Sequence, residues 1–281
     1  MEIINNAAEM HAWSKNRQKE GLIVGFVPTM GALHKGHIEL VNHSVKENDV
    51  TVCSIFVNPV QFNNPDDLEK YPRTFDQDVA MLRDAACDLV FYPPVKEMYP
   101  EPVTRQYDFG ILDKVMEGRY RPGHFNGVAI VVKKLFDIVV PNRAYFGEKD
   151  FQQLAIIRAL AKQETLDVEI VSCPIVREPD GLAMSTRNVR LSKVQRVHAS
   201  LIYNTLLFAK KMYPHTQPDE LKKEVEQRIN NNPYMQLEYF EISDTETLEP
   251  IGQVKPPKPV IACIAVYMGE VRLIDNMILN L

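Results

Sequence analysis

Apolar residues in the first two thirds of the chain fall into two alternating patterns. Short, nearly continuous runs, "GLIVGFVP", "DVTVCSIFVNP", "DLVFYPP", "RAYFGEKD" and "DVEIVSCPIV", have the length and β-branched content of buried strands. The segments "HKGHIELVNHSVKEN", "DQDVAMLRDAAC", "GVAIVVKKLFDIVV" and "DFQQLAIIRALAKQET" carry apolar residues at helical spacing, the third despite its β-branched content. Strands separated by helices predict parallel βαβ units in an open, doubly wound α/β sheet. In such sheets ligands bind beyond the carboxyl ends of the strands.

After about residue 176 the rhythm changes. "SKVQRVHASLIYNTLLFAKKMY" and "PDELKKEVEQRINN" predict one helix each, and "LEYFEISD", "VIACIAVYMG" and "VRLIDNMIL" predict consecutive strands, with "KPPKP" as a turn among them. Helices followed by strands suggest a small α+β domain. The expected division is residues 1–176 as a larger α/β domain and 177–281 as a smaller α+β domain, and 281 residues are enough for both.

Composition narrows the class. Hydrophobic residues make up 45% and charged residues 25%, as in ordinary soluble globular proteins. The longest apolar run, "PVIACIAVYMG", has about half the length that crosses a bilayer. "MEIINNAAEMHAWSKNRQKEG" lacks the basic start, apolar centre and small-residue cleavage site of a secretory signal, so a cytoplasmic location is expected. Cys53, Cys87, Cys173 and Cys263 stand far apart in or beside apolar segments, as buried thiols rather than disulfide partners or zinc ligands. A net charge of −5 argues against a general nucleic-acid binder.

"VPTMGALHKGHIEL", Val27 to Leu40, leaves the first long strand through a Pro- and Gly-containing turn and sets His34 and His37 where the next helix begins. Unpaired backbone N–H groups and the positive end of the helix dipole favour an anion there, and imidazole donors can join them on a phosphate. Gly31 and Gly36 would let the backbone approach closely without a Cβ in the way. No third ligand is evident nearby, so the pattern suits a polyphosphate better than a metal, and no protein metal site is predicted. Two partly exposed histidines at a helix start are the plainer alternative. The chain has no Walker A pattern and no G-x-G-x-x-G after the first strand, which disfavours a P-loop kinase or a conventional dinucleotide enzyme.

Further polar segments follow the other strands. In "FVNPVQFNNPDD", Asn58 and Gln61 could bond hydroxyls or a carboxylate, or belong to a plain polar loop. "YFGEKDFQQL" offers Gly147, Lys149, Asp150 and Gln153, with Asp150 also a credible helix cap. "REPDGLAMSTRNVRLS" gathers Ser185, Thr186 and Arg187, an assembly suited to clasping phosphate oxygens and equally consistent with a solvated turn. "GRYRPGHFNGV" adds Arg119, Arg121 and His124, either closing over an anionic site or forming a surface loop at a subunit contact. In "DQDVAMLRD", Asp76 and Asp78 read as surface carboxylates opening a helix, with a metal contact as the alternative.

Together, "PTMGALHKGH", "FVNPVQF", "YPRT", "RPGHFNGV", "FGEKDFQQL" and "STRN" resemble the successive motifs of the pantoate-beta-alanine ligase family, over most of residues 20–195 and more weakly to the C-terminus. The histidine pair alone would indicate only the wider nucleotidyltransferase superfamily. The resemblance implies a Rossmann-like N-terminal domain, a smaller C-terminal domain, a cytoplasmic homodimer, and a two-step AMP-forming reaction. ATP and pantoate give pantoyl adenylate and pyrophosphate, and the amine of beta-alanine then displaces AMP to give pantothenate. By the same resemblance Met30, Gly31, Ala32, Leu33, His34, Lys35, Gly36 and His37 match a first ATP-binding segment, and Gly147, Glu148, Lys149 and Asp150 a second. Val176 matches an adenine contact, and Met184, Ser185, Thr186 and Arg187 a mobile phosphate loop. Gln61, Gln153, Asn58 and Met30 are assigned to the acid substrate, with Gln61 also near the beta-alanine site.

His37 matches the position assigned as proton donor, and His34, Lys149, Ser185 and Arg187 would share the charge growing on pyrophosphate. Magnesium is implied with ATP; the substitution "DQDVAM", where some relatives carry a richer acidic cluster, points to water or ATP oxygens as its ligands. The pantoate carboxylate is itself the nucleophile, so positioning and charge neutralisation carry the first step and no nucleophilic side chain is required. The competing readings are another nucleotidyltransferase acting on a different acceptor, a nucleotide-binding regulator without catalysis, and an RNA-binding relative of the class I aminoacyl-tRNA synthetases. The acidic balance and the lack of a basic, aromatic-rich stripe oppose the last.

Overall fold

The computed structural model describes residues 1–62, 65–252 and 258–280. Asn63 and Asn64 of the amide-rich segment, and residues 255–257 of "KPPKP", lie outside the described residues. The strands are β1 (Glu2–Ile4), β2 (Val24–Thr29), β3 (Val50–Ile55), β4 (Leu89–Phe91), β5 (Arg143–Gly147), β6 (Glu169–Cys173), β7 (Gln236–Asp244), β8 (Val260–Met268) and β9 (Val271–Asn280). The helices are α1 (Ala7–Lys19), α2 (Lys35–Glu47), α3 (Pro65–Glu69), α4 (Phe75–Asp84), α5 (Val95–Met98), α6 (Met116–Tyr120), α7 (His124–Val139), α8 (Phe151–Gln163), α9 (Lys193–Ala199), α10 (Leu201–Met212) and α11 (Pro218–Asn230).

These elements form two compact units. The first comprises Met1–Phe109, Arg121–Glu148 and Gln153–Pro174, and the second Gly110–Tyr120, Lys149–Gln152 and Ile175–Leu281. The second unit thus draws in 110–120 and 149–152, which a division of the chain at residue 176 leaves in the first.

All six strands of the first unit are parallel, in the order β1-β4-β3-β2-β5-β6. This is the open, doubly wound parallel sheet expected from the alternation of strand and helix, and the Rossmann-like domain that the resemblance implies. The chain builds outward from β2 through β3 to β4 on one side and resumes beside β2 with β5 on the other. The order therefore reverses between β2 and β5, where such sheets place their ligands. β2 and β3 are almost wholly buried because helices cover the sheet, which is why they read as continuous rather than alternating apolar runs. Val27, Val41, Ile55, Leu82, Val90 and Tyr145 pack in one core cluster. Each aliphatic side chain fully buried there contributes about 1.5–3 kcal/mol.

Periodicity did not reveal β1 or α1. α1 buries only Met10 and Ser14 and therefore shows little amphipathic pattern, but its start is fixed by Asn6, whose side chain accepts the Glu9 N–H.

The second unit has an antiparallel sheet, β7-β8-β9, with every residue of its central strand buried except Tyr267. Leu206 of α10, Leu221 and Val225 of α11, Ile242 of β7 and Ile264 of β8 share its core. The single helix expected over residues 192–213 is two, α9 and α10. Ser200 between them keeps helical dihedrals (φ −61°, ψ −16°), so the apolar periodicity runs through the junction unbroken.

Segment 110–120 is tied to this unit by polar groups. Gln152 donates to the carbonyls of Leu112 and Val115 at 2.7 and 2.8 Å and accepts the Glu117 N–H at 2.9 Å. The Glu117 carboxylate takes both terminal nitrogens of Arg272, at 2.8 and 2.6 Å, and the Tyr239 hydroxyl at 2.8 Å.

Candidate functional site

At the end of β2 the chain turns sharply through Gly31 (φ 78°) and Ala32 (φ 50°). A glycine suits the first position for a second reason: a Cβ there would lie 3.0 Å from both Asp78 Oδ2 and Ile55 Cγ2. The turn is braced from three sides. The Thr29 hydroxyl donates to the Ser54 carbonyl at 2.7 Å and accepts the Gly31 N–H at 3.2 Å. Asp78 Oδ2 accepts the Ala32 N–H at 2.9 Å, and Oδ1 accepts the Leu33 N–H at 2.8 Å and the Thr74 hydroxyl at 3.1 Å.

Asp78 is only 1% exposed, which corrects the expectation that Asp76 and Asp78 are both surface carboxylates. Asp76 is exposed as expected, but Asp78 turns inward and accepts two backbone N–H groups of the turn.

The turn delivers His34 to the N-cap of α2. Its Nδ1 accepts the Gly36 N–H at 3.1 Å, while His37 Nδ1 accepts the His34 N–H at 3.3 Å. This is a capping box built from two histidines in place of the usual Ser/Thr and Glu/Gln. Because each Nδ1 accepts, the ring proton resides on Nε2, and both histidines are Nε2–H donors. The rings lie 4.1 Å apart, tilted by 39°. Structural cap and anion-binding donor are therefore compatible roles for the same two rings. Lys35 and Gly36 occupy the first turn of α2. A pocket of about 440 Å³ borders the turn, lined by Met30, Gly31, Asp78, Phe75 and Tyr92 among others.

Beyond β3, Asn58 caps a short 3-10 turn, Pro59–Gln61. Asn58 and Gln61 are both buried, at 1% and 9% exposure. α7 packs directly on this turn because residue 127 is glycine: a Cβ there would meet Gln61 Cα and the Val60 carbonyl at 2.6 Å. Asn58 Nδ2 donates to Gln61 Oε1 and to the Gly127 carbonyl, both at 3.1 Å. Gln61 Nε2 lies 3.1 Å from Met30 Sδ, which joins this cluster to the β2 turn.

His124 is buried, with Nδ1 2.9 Å from the Gln61 carbonyl. It is therefore not an exposed loop residue; it packs against the Gln61 turn. Tyr99, unnoticed in the sequence, donates its hydroxyl to Asn58 Oδ1 at 2.8 Å. Gln153 is half-buried in the first turn of α8.

In the second unit Lys149 and Asp150 lie in a 3-10 turn before α8, with Lys149 Nζ 3.9 Å from Asp150 Oδ2. Asn276 of β9 donates to the Lys149 carbonyl at 2.9 Å. Residues 176–184 form a small hairpin in which the Met184 N–H donates to the Val176 carbonyl at 3.0 Å. Arg177 anchors its base through two bonds to Asp275, at 2.6 and 3.0 Å. Ser185 then caps a 3-10 turn, Thr186–Arg190, by accepting the Arg187 N–H at 3.2 Å. Gly147 and Glu148 belong to the first unit, at the end of β5 and just beyond it.

Among the described residues, no group of three or more His, Cys, Asp or Glu side chains is placed to hold a metal ion. Both Asp78 oxygens are taken by backbone N–H groups. The four cysteines are free and buried, and burial pushes the Cys87 and Cys173 thiols up to about 12, which leaves them unreactive as nucleophiles.

A sequence model of the family described as pantoate-beta-alanine ligase matches residues 2–278. The chain is 52% identical over 277 residues to a pantothenate synthetase of Bacteroides thetaiotaomicron, covering 99% of this chain and 98% of the relative. It is 50% identical to one of Porphyromonas gingivalis over 99% of both chains. Among solved structures, pantothenate synthetase from Thermus thermophilus superposes with a TM-score of 0.91 at 40% identity over 100% of both chains. Pantoate-beta-alanine ligase from Francisella tularensis, complexed with beta-gamma ATP and beta-alanine, gives 0.83 at 36% identity over 99% of this chain and 98% of that one.

Proposed function

The chain belongs to the pantoate-beta-alanine ligase family, and from that premise we infer that it joins pantoate to beta-alanine with ATP through a pantoyl adenylate, releasing pyrophosphate and AMP. The observation that carries the reading on this chain's own residues is the histidine capping box at the start of α2. It supplies two Nε2–H donors at the positive end of a helix, following the strand beside which the sheet order reverses.

In the first step a carboxylate oxygen of pantoate attacks the α-phosphorus of ATP, and the bond from that phosphorus to the bridging oxygen breaks as pyrophosphate leaves. Negative charge grows on the leaving oxygens. His37 and His34 donate to those oxygens through Nε2–H, and Lys149, Ser185 and Arg187 add positive charge and hydrogen bonds. Met30–His37, Gly147–Asp150, Val176 and Met184–Arg187 hold the nucleotide. The backbone pairing of Met184 with Val176 supports giving those two a common ligand. Gln61, Gln153 and Met30 hold the acid directly and Asn58 holds it through Gln61; the contact of Gln61 with both Asn58 and Met30 supports that grouping. In the second step the neutral amine of beta-alanine attacks the acyl carbon, the bond to the AMP oxygen breaks, and a proton leaves the new amide nitrogen. The mixed anhydride must meanwhile be kept from water.

Magnesium would enter with the nucleotide substrate and would there offset phosphate charge. The enzyme is a cytoplasmic homodimer with small-molecule substrates; its formal charge of −5 speaks against nucleic acid as a partner. No described helix is long and apolar enough to cross a membrane. Single-turnover adenylation by His37→Ala tests the assignment: the rate of adenylate formation drops while ATP still binds, and a near-normal rate removes His37 from the mechanism.

A further inference from the structure

A glutamine amide offers an acceptor at one end and donors at the other, so what Gln61 can recognise depends on which end is engaged elsewhere. Its Oε1 is engaged by Asn58 Nδ2 at 3.1 Å. Asn58 cannot be turned over. Its Nδ2 also donates to the Gly127 carbonyl, while its Oδ1 accepts the Val60 N–H at 3.2 Å and the Tyr99 hydroxyl at 2.8 Å. A reversed amide would set N–H against N–H and C=O against C=O. Gln61 is left to act through its NH2 group, beside the thioether of Met30, a weak acceptor that a ligand oxygen readily replaces.

Tyr99 stands behind this arrangement, its ring 6.1 Å from that of Phe56 and beneath Lys134 Nζ at 5.6 Å. Burial pushes its phenol up, so the hydroxyl remains a donor throughout the working pH range.

We propose that Tyr99 is a positioning residue for the acid substrate: through the relay Tyr99–Asn58–Gln61 it holds the Gln61 NH2 group as a donor, so that this subsite takes a carboxylate or hydroxyl oxygen and rejects an ammonium. The inference rests on the assignment of Gln61 to the acid.

Tyr99→Phe removes one oxygen and keeps the ring. The loss of one neutral hydrogen bond from the relay raises KM for pantoate in adenylation about 3- to 10-fold, while KM for ATP stays within about 2-fold. In a Gln61→Ala background the same change adds nothing, because the group it positions is gone; a merely structural tyrosine would add its effect in either background. Asn58→Asp, which cannot donate to Gln61 Oε1, inverts the amide and raises pantoate KM at least as much, providing a second variant should Tyr99→Phe fold poorly. An unchanged pantoate KM in folded Tyr99→Phe, or an undiminished effect in the Gln61→Ala background, overturns the proposal. A normal pantoate KM in Gln61→Ala alone overturns the assignment of Gln61 first, and the inference with it.

Discussion

Replacing Asp78 by asparagine changes one atom of a buried side chain and strikes the turn that carries the segment proposed to bind the nucleotide. At present Oδ2 accepts the Ala32 N–H at 2.9 Å, and Oδ1 accepts the Leu33 N–H at 2.8 Å and the Thr74 hydroxyl at 3.1 Å. Asparagine keeps one acceptor and turns the other into an NH2 group facing a backbone N–H. The loss of one charge-assisted bond, about 1.5–3 kcal/mol, overlaps with the penalty of about 1–3 kcal/mol for the stranded N–H, leaving a net loss of about 2–4 kcal/mol. For a chain of this size the thermal midpoint falls by roughly 3–7 °C. Ala32 already holds a left-handed φ of 50°, so weakening the bond to its N–H removes support from a strained residue, and adenylation measured well below the midpoint drops at least about tenfold. Circular-dichroism melts and pyrophosphate exchange on one preparation measure both effects. A variant that melts within about 2 °C of the parent and exchanges normally refutes the bracing role.

Arg177→Met leaves Asp275, 3% exposed, without its bidentate partner; a loss of about 3–5 kcal/mol is expected in denaturant titrations, and a loss under about 1 kcal/mol contradicts it. The backbone N–H groups of Thr247 and Glu246 hold the Asp244 carboxyl below its usual range. A lowered folded pKa means stabilisation that is present above about pH 4 and lost as pH falls through the folded value, so Asp244→Asn flattens the acid limb of the stability curve while leaving its shape at neutral pH unchanged. The native protein resists a thiol reagent at about pH 8 and labels at all four cysteines once denatured, whereas rapid native labelling would show that the burial is breached.

The sheet was legible because its strands are buried on both faces and its helices are not, so period and length separate them. The start of α2, expected near Gly36 and found at Lys35, was legible from the Gly–His pattern. What stayed hidden depends on contacts between distant positions. Asp78 reads as one more carboxylate opening a helix, and only the fold brings the orphaned N–H groups of Ala32 and Leu33 to it. Gln152 and Gln153 are adjacent amides that the sequence cannot rank, yet Gln152 is used up holding segment 110–120 to the second unit. His124 looked like a loop residue because Arg121, Pro122 and Gly123 precede it; the Gly127 contact draws the start of α7 onto the Gln61 turn and buries it. Tyr99 lies 41 residues from its acceptor Asn58, in a segment whose only local signal is proline. The family motifs marked the residues proposed to meet the ligands, but not the buried groups that hydrogen-bond to them.

Exchange of labelled pyrophosphate into ATP, with beta-alanine omitted, isolates the adenylation half-reaction. Exchange that requires pantoate and disappears without it is the predicted result. The absence of pantoate-dependent exchange at saturating ATP and magnesium would contradict the proposed reaction.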